Sequence, residues 1–146
     1  MAIEKAAKKE HEAILFKGLK GIQTAIFEAL TDLTPGDEIL AMGVRSAKEK
    51  QYNVMWQRWH KERIRKRVTC KAIFSDKSTS YYHWFKAMKF TDVRVLDGVT
   101  PSALDVMKDR VLIFTYGEKP SCLVIKNSEV AHSFAAFFYN LWKISK

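Results

Sequence analysis

The sequence contains few of the residues that interrupt regular structure and few cysteines. Its 146 residues include 6 glycines and 3 prolines, so no segment has the composition of a long flexible linker. The two cysteines, Cys70 and Cys122, are too few for a disulfide scaffold. Each lies in an apolar segment, where a free cysteine behaves as a small buried hydrophobic residue. We therefore expect one domain in a reducing, cytoplasmic setting.

Long hydrophobic runs are also missing. No apolar segment approaches the roughly 20 residues that a membrane-spanning helix needs. The charged residues at the N-terminus are not followed by an apolar segment, so no secretory signal is expected there. Hydrophobic residues nevertheless make up 47% of the chain, which is enough for a core. The composition predicts a globular domain without membrane contact.

Acidic residues are the minority among the charged side chains, with 16 Asp and Glu against 25 Lys and Arg, for a net charge of +9. A positive excess favours polyanionic partners, such as nucleic acid, a phosphorylated ligand or an acidic protein. Solubility alone also accounts for it, so both interpretations stay open. The excess is concentrated in one predicted helix, whose candidate nucleic-acid contacts are Arg58, Lys61, Arg63, Arg65, Lys66 and Arg67.

The spacing of apolar residues predicts alternating strands and helices in the first half of the chain. A short strand at residues 13–16 precedes a helix whose apolar residues recur every three or four positions. A continuously apolar strand follows at residues 39–44, as is typical of strands covered on both faces. This order indicates a βαβ unit, and a basic helix at about 50–67 with a strand at 69–74 continues the pattern.

The second half favours antiparallel strands and a C-terminal helix. Residues 110–116 and 121–125 flank a turn-rich loop, and Asn127 or Ser128 is suited to cap the last helix. Together with the first half, this predicts an α/β fold with a mixed sheet flanked by helices on both faces.

The expected sheet is parallel at the strands that contain Leu15, Ile39 and Ile73. Its antiparallel part should extend from Leu104 to Ile125, where the turn signals lie close together. The helices should bury their apolar sides against this sheet. The residues that we expect to be buried in this way include Trp56, Phe134, Phe137 and Leu141.

Histidines are few, and none has a partner at a catalytic spacing; they are His11, His60, His83 and His132. The segment that begins at His60 matches the H-x-E of zinc deaminases, but the P-C-x-x-C that supplies the thiolates is absent. His60 is therefore interpreted as a surface or rim residue of the basic helix. We expect no catalytic residue, no metal and no cofactor.

Two other patterns allow binding but have ordinary structural explanations. Gly18 and Gly21 open a predicted helix beside Lys17 and Lys20, where backbone N–H groups are suited to hold an anion. A turn and close packing explain the same glycines. Many aromatic residues lie near the basic helix, where they would either stack on sugars or bases or fill the core; they are Trp56, Trp59, Tyr81, Tyr82 and Trp84.

A series of short segments lies along most of the chain: FKGLKGI at 16–22, LTPGDEI at 33–39, HKERIRKRV at 60–68, IF at 73–74, SA at 102–103, KDRV at 108–111, VIKN at 124–127 and FYNLWK at 138–143. In this order and spacing, the series resembles the C-terminal sensor domain of archaeal TrmB-type transcription regulators. The resemblance covers residues 12–146 and leaves residues 1–11 as a helix stub or tail.

The resemblance implies a phospholipase-D-like half domain that acts as a ligand sensor, with sugars as ligands in some relatives, and that forms a homodimer. The enzyme relatives carry the motif H-x-K-x-x-x-x-D. In register with the turn before Val111, its three positions hold Pro101, Ala103 and Lys108, so the resemblance implies no phosphodiesterase activity. The same motif cannot begin at His60 instead, because it would require a lysine at position 62, which is occupied by Glu62.

The chain departs from the family in one respect, because no winged helix that binds DNA precedes the domain. The sequence leaves open a standalone sensor that serves a DNA-binding partner protein, and an excised domain. Ligands of open α/β sheets bind beyond the carboxyl ends of parallel strands. On that basis the expected ligand-binding residues are Gly43, Arg45, Ser75 and Asp76. The resemblance adds Ser102 and Asp105, which lie in the segment that corresponds to the catalytic strand of the enzyme relatives. Direct nucleic-acid binding through the basic helix is the alternative.

Overall fold

The computed structural model describes residues 12–44, 50–98 and 102–146. The predicted N-terminal stub, Arg45 and Pro101 lie outside these ranges. The strands are β1 (Glu12–Lys17), β2 (Glu38–Val44), β3 (Thr69–Phe74), β4 (Thr91–Val95), β5 (Ala103–Met107), β6 (Arg110–Thr115) and β7 (Ser121–Lys126). The helices are α1 (Gly18–Thr31), α2 (Lys50–Arg65), α3 (Ser80–Lys86) and α4 (Ser128–Ile144).

The strands form one mixed sheet of seven strands, in the order β1-β7-β6-β5-β2-β3-β4. β2, β3 and β4 are parallel neighbours, and every other pairing is antiparallel. This confirms the predicted α/β fold with a mixed sheet.

The predicted place of the first strand in the sheet was wrong. β1 lies at an edge and pairs antiparallel with β7, with Leu15 opposite Leu123. Three strands therefore separate it from β2. Apolar alternation shows that a segment is a strand but does not show which strand is its neighbour, and the connection through α1 is long enough to cross several strands.

Helices cover both faces of the sheet. α1, α2 and α3 pack on one face, where Ile26, Trp59 and Phe85 are fully buried. Among the described helices, α4 packs alone on the other face, where Phe138 and Leu141 contact strands β2, β5 and β6. Within the described ranges, none of the helices is long and apolar enough to cross a membrane.

Local hydrogen bonds fix where two of the helices begin. The Asn127 side chain accepts a hydrogen bond of 3.1 Å from the Val130 N–H at the start of α4, as the sequence predicted for an N-cap. The Thr79 hydroxyl likewise accepts a hydrogen bond of 3.2 Å from the Tyr82 N–H at the start of α3. These caps satisfy amide groups that have no partner inside the helix.

Burial of the expected core residues was only partly correct. Leu141 is buried, but Trp56 and Phe134 are half-buried and Phe137 is 44% exposed. α4 contacts the sheet along one side only, and its apolar face is wider than the strip that makes this contact. Phe137 therefore points away from the sheet, whereas Phe138 is fully buried.

Candidate functional site

A cavity of about 50 Å³ lies between the sheet and helices α2 and α3, and it is partly open to the surface. Ala41 and Ala103 contribute small side chains to its wall, which leaves room between the strands and the larger aromatic residues. The remaining residues around the cavity are Ile39, Val44, Asn53, Trp56, Trp59, His60, Cys70, Tyr81, Phe85, Asp105, Phe114 and Tyr116. It has the aromatic lining and the few polar groups that are typical of ligand sites.

Asp105 is the carboxylate in this cavity. It lies in the middle of β5, between Ala41 of β2 and Leu112 of β6, and the alternation of the strand places it on the same face as Ala103. The residue is only 8% exposed, and within the described ranges no hydrogen bond or ion pair reaches its carboxylate. Burial raises the pKa of Asp105 from its usual 3.8 to about 7.

Asn53 supplies a second polar group without a partner. It lines the same cavity from α2, and its Oδ1 atom is buried with no hydrogen-bond partner in the described part of the chain. A buried acceptor without a donor costs about 1–3 kcal/mol. The cavity thus carries two acceptors for which the described residues show no hydrogen bond.

Hydroxyl and indole groups also line the cavity. The Trp56 Nε1–H donates a hydrogen bond of 3.1 Å to the Tyr116 hydroxyl, and the Trp56 ring contacts Phe114 edge to face, with centroids 5.4 Å apart. Burial raises the pKa values of Tyr81 and Tyr116, so both remain neutral hydroxyls. Because the Tyr116 oxygen accepts from Trp56, its own proton is available to an acceptor in the cavity.

His60 is a buried core residue, and its predicted surface position was wrong. It is 3% exposed, among the rings of Trp59, Trp84 and Phe85. Arg63 Nε donates to His60 Nδ1 at 3.0 Å, which fixes the neutral tautomer that carries its proton on Nε2. Burial, followed by the charge of Arg63, holds the pKa of His60 well below 6.5.

Arg63 does not belong to the basic surface on which the sequence placed it, because it is fully buried. Its Nη1 donates to the carbonyls of Val68 at 2.8 Å and Phe90 at 3.0 Å, and its Nη2 donates to the Thr91 hydroxyl at 2.6 Å. The guanidinium therefore ties the end of α2 to the starts of β3 and β4. The sequence did not reveal this role, because the neighbouring residues in the chain are also basic. Charged residues are almost never fully buried unless they are paired, so the whole segment was interpreted as surface.

The other predicted cations fall into two groups. Arg65 pairs with Glu62, and the Lys66 ammonium donates to the Leu30 carbonyl at 2.6 Å. The remaining three are exposed and have no side-chain partner in the part of the chain that is described; they are Arg58, Lys61 and Arg67. Arg58 lines two open grooves of about 380 and 440 Å³, one beside α1 and the other beside α3.

Of the described residues that were predicted to bind a ligand, Asp105 alone lines the cavity. Gly43 is displaced from the ladder by a bulge in β2, and Val44 after it reaches the cavity instead. Ser75 follows β3 outside the lining, and Asp76 accepts hydrogen bonds from Ser78 in a local turn. Ser102 precedes Ala103, which does line the cavity, while Arg45 is outside the described ranges.

The glycines at the start of α1 are explained by packing. The Gly18 N–H donates to the Pro120 carbonyl at 2.8 Å, and Gly18 has a φ of +74°, which favours glycine. A side chain at position 21 would lie 3.0 Å from the backbone of Phe16. The described ranges also contain no group of three or more His, Cys, Asp or Glu residues that could hold a metal ion.

Sequence reasoning missed Asn53 and Tyr116 as parts of a polar cavity, and it considered Tyr81 only for stacking or for the core. One signal was present, because Asn53 precedes Trp56 by three positions and His60 by seven. These positions share one face of a helix, so two polar groups lie within an aromatic face. Tyr116 could not be found this way, because its contact with Trp56 joins residues 60 positions apart.

Comparison with known proteins shows the fold. No family model matches the chain, and no curated protein matches it. The chain is similar to TrmBL2, an archaeal chromatin protein whose structure shows a novel mode of DNA binding, with a TM-score of 0.64 and 16% identity. The match covers 99% of this chain and 62% of TrmBL2, so this chain spans less than two thirds of that protein.

Two smaller proteins match over nearly their whole lengths. NucT from Helicobacter pylori matches with a TM-score of 0.69 and 10% identity, over 93% of this chain and 98% of NucT. Nuc from Salmonella typhimurium, a phospholipase D family member, matches with a TM-score of 0.67 and 12% identity, over 94% and 97%. The chain thus has a phospholipase-D-like fold, and the resemblance to the C-terminal domain of TrmB-type regulators is confirmed at the level of the fold.

Proposed function

We propose that this chain is a non-catalytic module of a transcription or chromatin regulator that binds a small polar molecule in the cavity beside Asp105. The observation that carries the proposal is the buried carboxylate of Asp105, which faces the cavity without a partner among the described residues. A buried carboxylate without compensation is costly, and natural sites that tolerate this cost are commonly functional.

The groups around the cavity do not support phosphodiester chemistry. Ala103, which stands where the resemblance requires lysine, offers no functional group to a phosphate. Lys108 lies in the turn after β5, near Asp37, at the opposite end of that strand. Burial raises the pKa of Cys70 to about 12, so its thiol is not a nucleophile at neutral pH.

The size of the cavity restricts the ligand. Pockets that enclose drug-sized molecules have volumes of about 300–1,000 Å³, whereas this cavity holds about 50 Å³. A whole sugar would require the wall to open. The proposed ligand is therefore a small molecule, or one terminal group of a larger molecule whose remainder stays outside.

The test combines a ligand screen with an activity assay. Thermal unfolding is measured with sugars, phosphorylated metabolites, carboxylic acids and amines, because a ligand that binds only the folded state raises the midpoint. We expect at least one compound to raise it for the unchanged chain and not for Asp105→Asn. Hydrolysis of bis(p-nitrophenyl) phosphate should equal the buffer blank. Hydrolysis that requires His60 would contradict the non-catalytic part of the proposal.

Direct nucleic-acid binding is the second candidate. Arg58, Lys61 and Arg67 are exposed without a partner in the described part of the chain, which leaves their charges available to phosphates. TrmBL2, to which the chain is similar, is described as binding DNA. If these cations contact a nucleic-acid backbone, affinity for duplex DNA should fall steeply as salt rises from about 50 to 200 mM, because each contact releases counterions. A flat salt dependence would exclude backbone contacts.

We also propose that the module forms a homodimer. Leu15 on edge strand β1 is 51% exposed and Phe137 on α4 is 44% exposed. An edge strand with unpaired backbone groups is a natural surface for association. A DNA-binding protein would be a further partner if this module senses a ligand on its behalf.

A further inference from the structure

The polar groups of the cavity can be matched to one chemical class of ligand, and this step rests on the proposed function of the cavity as a ligand site. We propose that the cavity beside Asp105 binds a protonated primary amine, with the ammonium group between the Asp105 carboxylate and the Asn53 Oδ1 atom. The ammonium would arrive from a free alkyl amine or from a lysine side chain.

The balance of donors and acceptors is the first argument. Asp105 and Asn53 each present an acceptor that has no partner in the described ranges. The indole donors nearby are already used, since Trp56 donates to Tyr116 and Trp59 donates to the Ile26 carbonyl at 2.8 Å. The donors that remain in the described lining are the hydroxyls of Tyr81 and Tyr116 and the Nε2–H of His60, and all three belong to neutral groups. None of them supplies the positive charge that would balance the Asp105 carboxylate. A primary ammonium brings three N–H donors and no acceptor, which is the complement that these atoms need.

The charge around Asp105 is the second argument. The titratable neighbours that face the cavity are His60, Cys70, Tyr81 and Tyr116, and all four are neutral at pH 7 because burial disfavours their charged forms. Arg63, the nearby cation, directs its donors at His60 and at groups near the strand starts. Above pH 7, no counter-ion for the carboxylate of Asp105 is found among the described residues, and an ammonium would supply one.

The aromatic lining and the volume are the third argument. Trp56, Tyr81, Phe85, Phe114 and Tyr116 surround the cavity, and the faces of aromatic rings attract cations. A volume of about 50 Å³ suits an ammonium and the first carbons of its chain. The partial opening lets the rest of the chain extend outward. A quaternary ammonium would satisfy the rings but leave the Asn53 acceptor without a donor.

The experiment is calorimetric titration of the whole chain at pH 8 with four probes of similar size: n-butylammonium, tetramethylammonium, n-butanol and butyrate. We expect saturable binding of n-butylammonium, with each other probe at least tenfold weaker. Asp105→Asn should weaken n-butylammonium at least tenfold. Asp92→Asn is the matched control, because it removes the same charge from an exposed residue of β4 and should leave the affinity unchanged.

A second variant blocks the cavity without a change of charge. Ala103→Leu extends a side chain from the wall into the space that the ammonium would occupy, so binding should be lost. A third readout requires no variant. At pH 7, an ammonium that favours the carboxylate releases a proton from Asp105, so the apparent enthalpy should depend on the ionisation enthalpy of the buffer.

The outcomes separate this inference from the proposed function. In one outcome, butanol or butyrate binds, this binding is lost in Asp105→Asn, and n-butylammonium does not bind. That outcome overturns the ammonium assignment but leaves the cavity as a ligand site. Binding of n-butylammonium that survives both Asp105→Asn and Ala103→Leu overturns the site. No binding of any probe also overturns the inference, while the wider thermal screen still decides the proposed function.

Parallel titrations with Nα-acetyl-lysine methylamide and with n-butylammonium then distinguish the source of the amine. Tighter binding of the lysine derivative supports insertion of a lysine from a partner protein, because its backbone amides would make contacts at the mouth of the cavity. Tighter binding of n-butylammonium supports a free amine. Either result supports the ammonium class.

Discussion

Replacement of Asp105 by asparagine should change how the stability of the protein depends on pH. Burial raises the pKa of the folded carboxyl to about 7, whereas the unfolded carboxyl titrates near 3.8. Between these values the folded state binds a proton that the unfolded state releases. Stability from this group is therefore fully present below about pH 4, falls as pH rises towards 7, and is constant above it.

The size of the effect follows from the shift. About three pKa units at roughly 1.4 kcal/mol each amount to a loss on the order of 4 kcal/mol between pH 4 and pH 8. The asparagine side chain does not titrate, so Asp105→Asn should match the unchanged protein near pH 4 and exceed its stability by up to about that amount at pH 8. Because the pKa of His60 is lowered, this residue destabilises the protein as pH falls below 6.5. The effect is the same in both proteins, so it cancels in the difference between their stabilities.

The assay is urea unfolding of both proteins at half-unit steps from pH 4.5 to 8.5, with Asp92→Asn as the control. The difference in free energy of unfolding between Asp105→Asn and the unchanged protein should grow with pH and level off above 7. The control should show no comparable slope. A difference that stays constant over this range would mean that Asp105 is hydrated, and would refute the account of its burial.

Three other perturbations test separate parts of the structure. Arg63→Met should lower the free energy of unfolding by about 3 kcal/mol in urea titrations, because the carbonyls of Val68 and Phe90 lose their buried donor. The pair Arg58→Glu and Lys61→Glu should reduce the salt slope of duplex DNA binding by about two, if the chain binds DNA. Sedimentation at tens of micromolar should show a dimer for the unchanged chain and a shift towards monomer for Phe137→Lys.

Each of these perturbations has a result that would contradict it. An Arg63→Met protein as stable as the original would mean that its hydrogen bonds contribute nothing net. DNA binding with an unchanged salt slope in the double variant would place the contacts elsewhere. A Phe137→Lys protein that dimerises like the original would remove α4 from the interface, and a monomeric unchanged chain would remove the dimer itself.

The periodicity of the sequence was sufficient to predict the elements and the mixed sheet. The hairpin of β6 and β7 and the cap at Asn127 follow from local chemistry, which depends on residues close together in the chain. The neighbour of β1 was predicted wrongly because strand pairing joins distant segments. Leu15 pairs with Leu123, more than a hundred positions away, and no local pattern encodes that choice.

The candidate site was less predictable for the same reason. Asp105 was identified through the resemblance, from the segment that corresponds to the catalytic strand of the enzyme relatives, but its isolation depends on what surrounds it in three dimensions. Arg63 and His60 looked like surface residues because the helix around them is basic. Their burial depends on contacts with Phe85, Phe90 and β4, none of which is visible in the spacing of α2.

The indole signals of the four tryptophans provide the most direct test of the claim that the cavity is the binding site. Trp56 lines the cavity, Trp84 lines the groove beside Arg58, and Trp142 packs on the opposite face of the sheet. ¹H–¹⁵N spectra are recorded while the compound that most raises the unfolding midpoint is added. The account predicts that the Trp56 indole signal moves and that the Trp142 signal does not. A shift of Trp84 or Trp142 with Trp56 unchanged would contradict it.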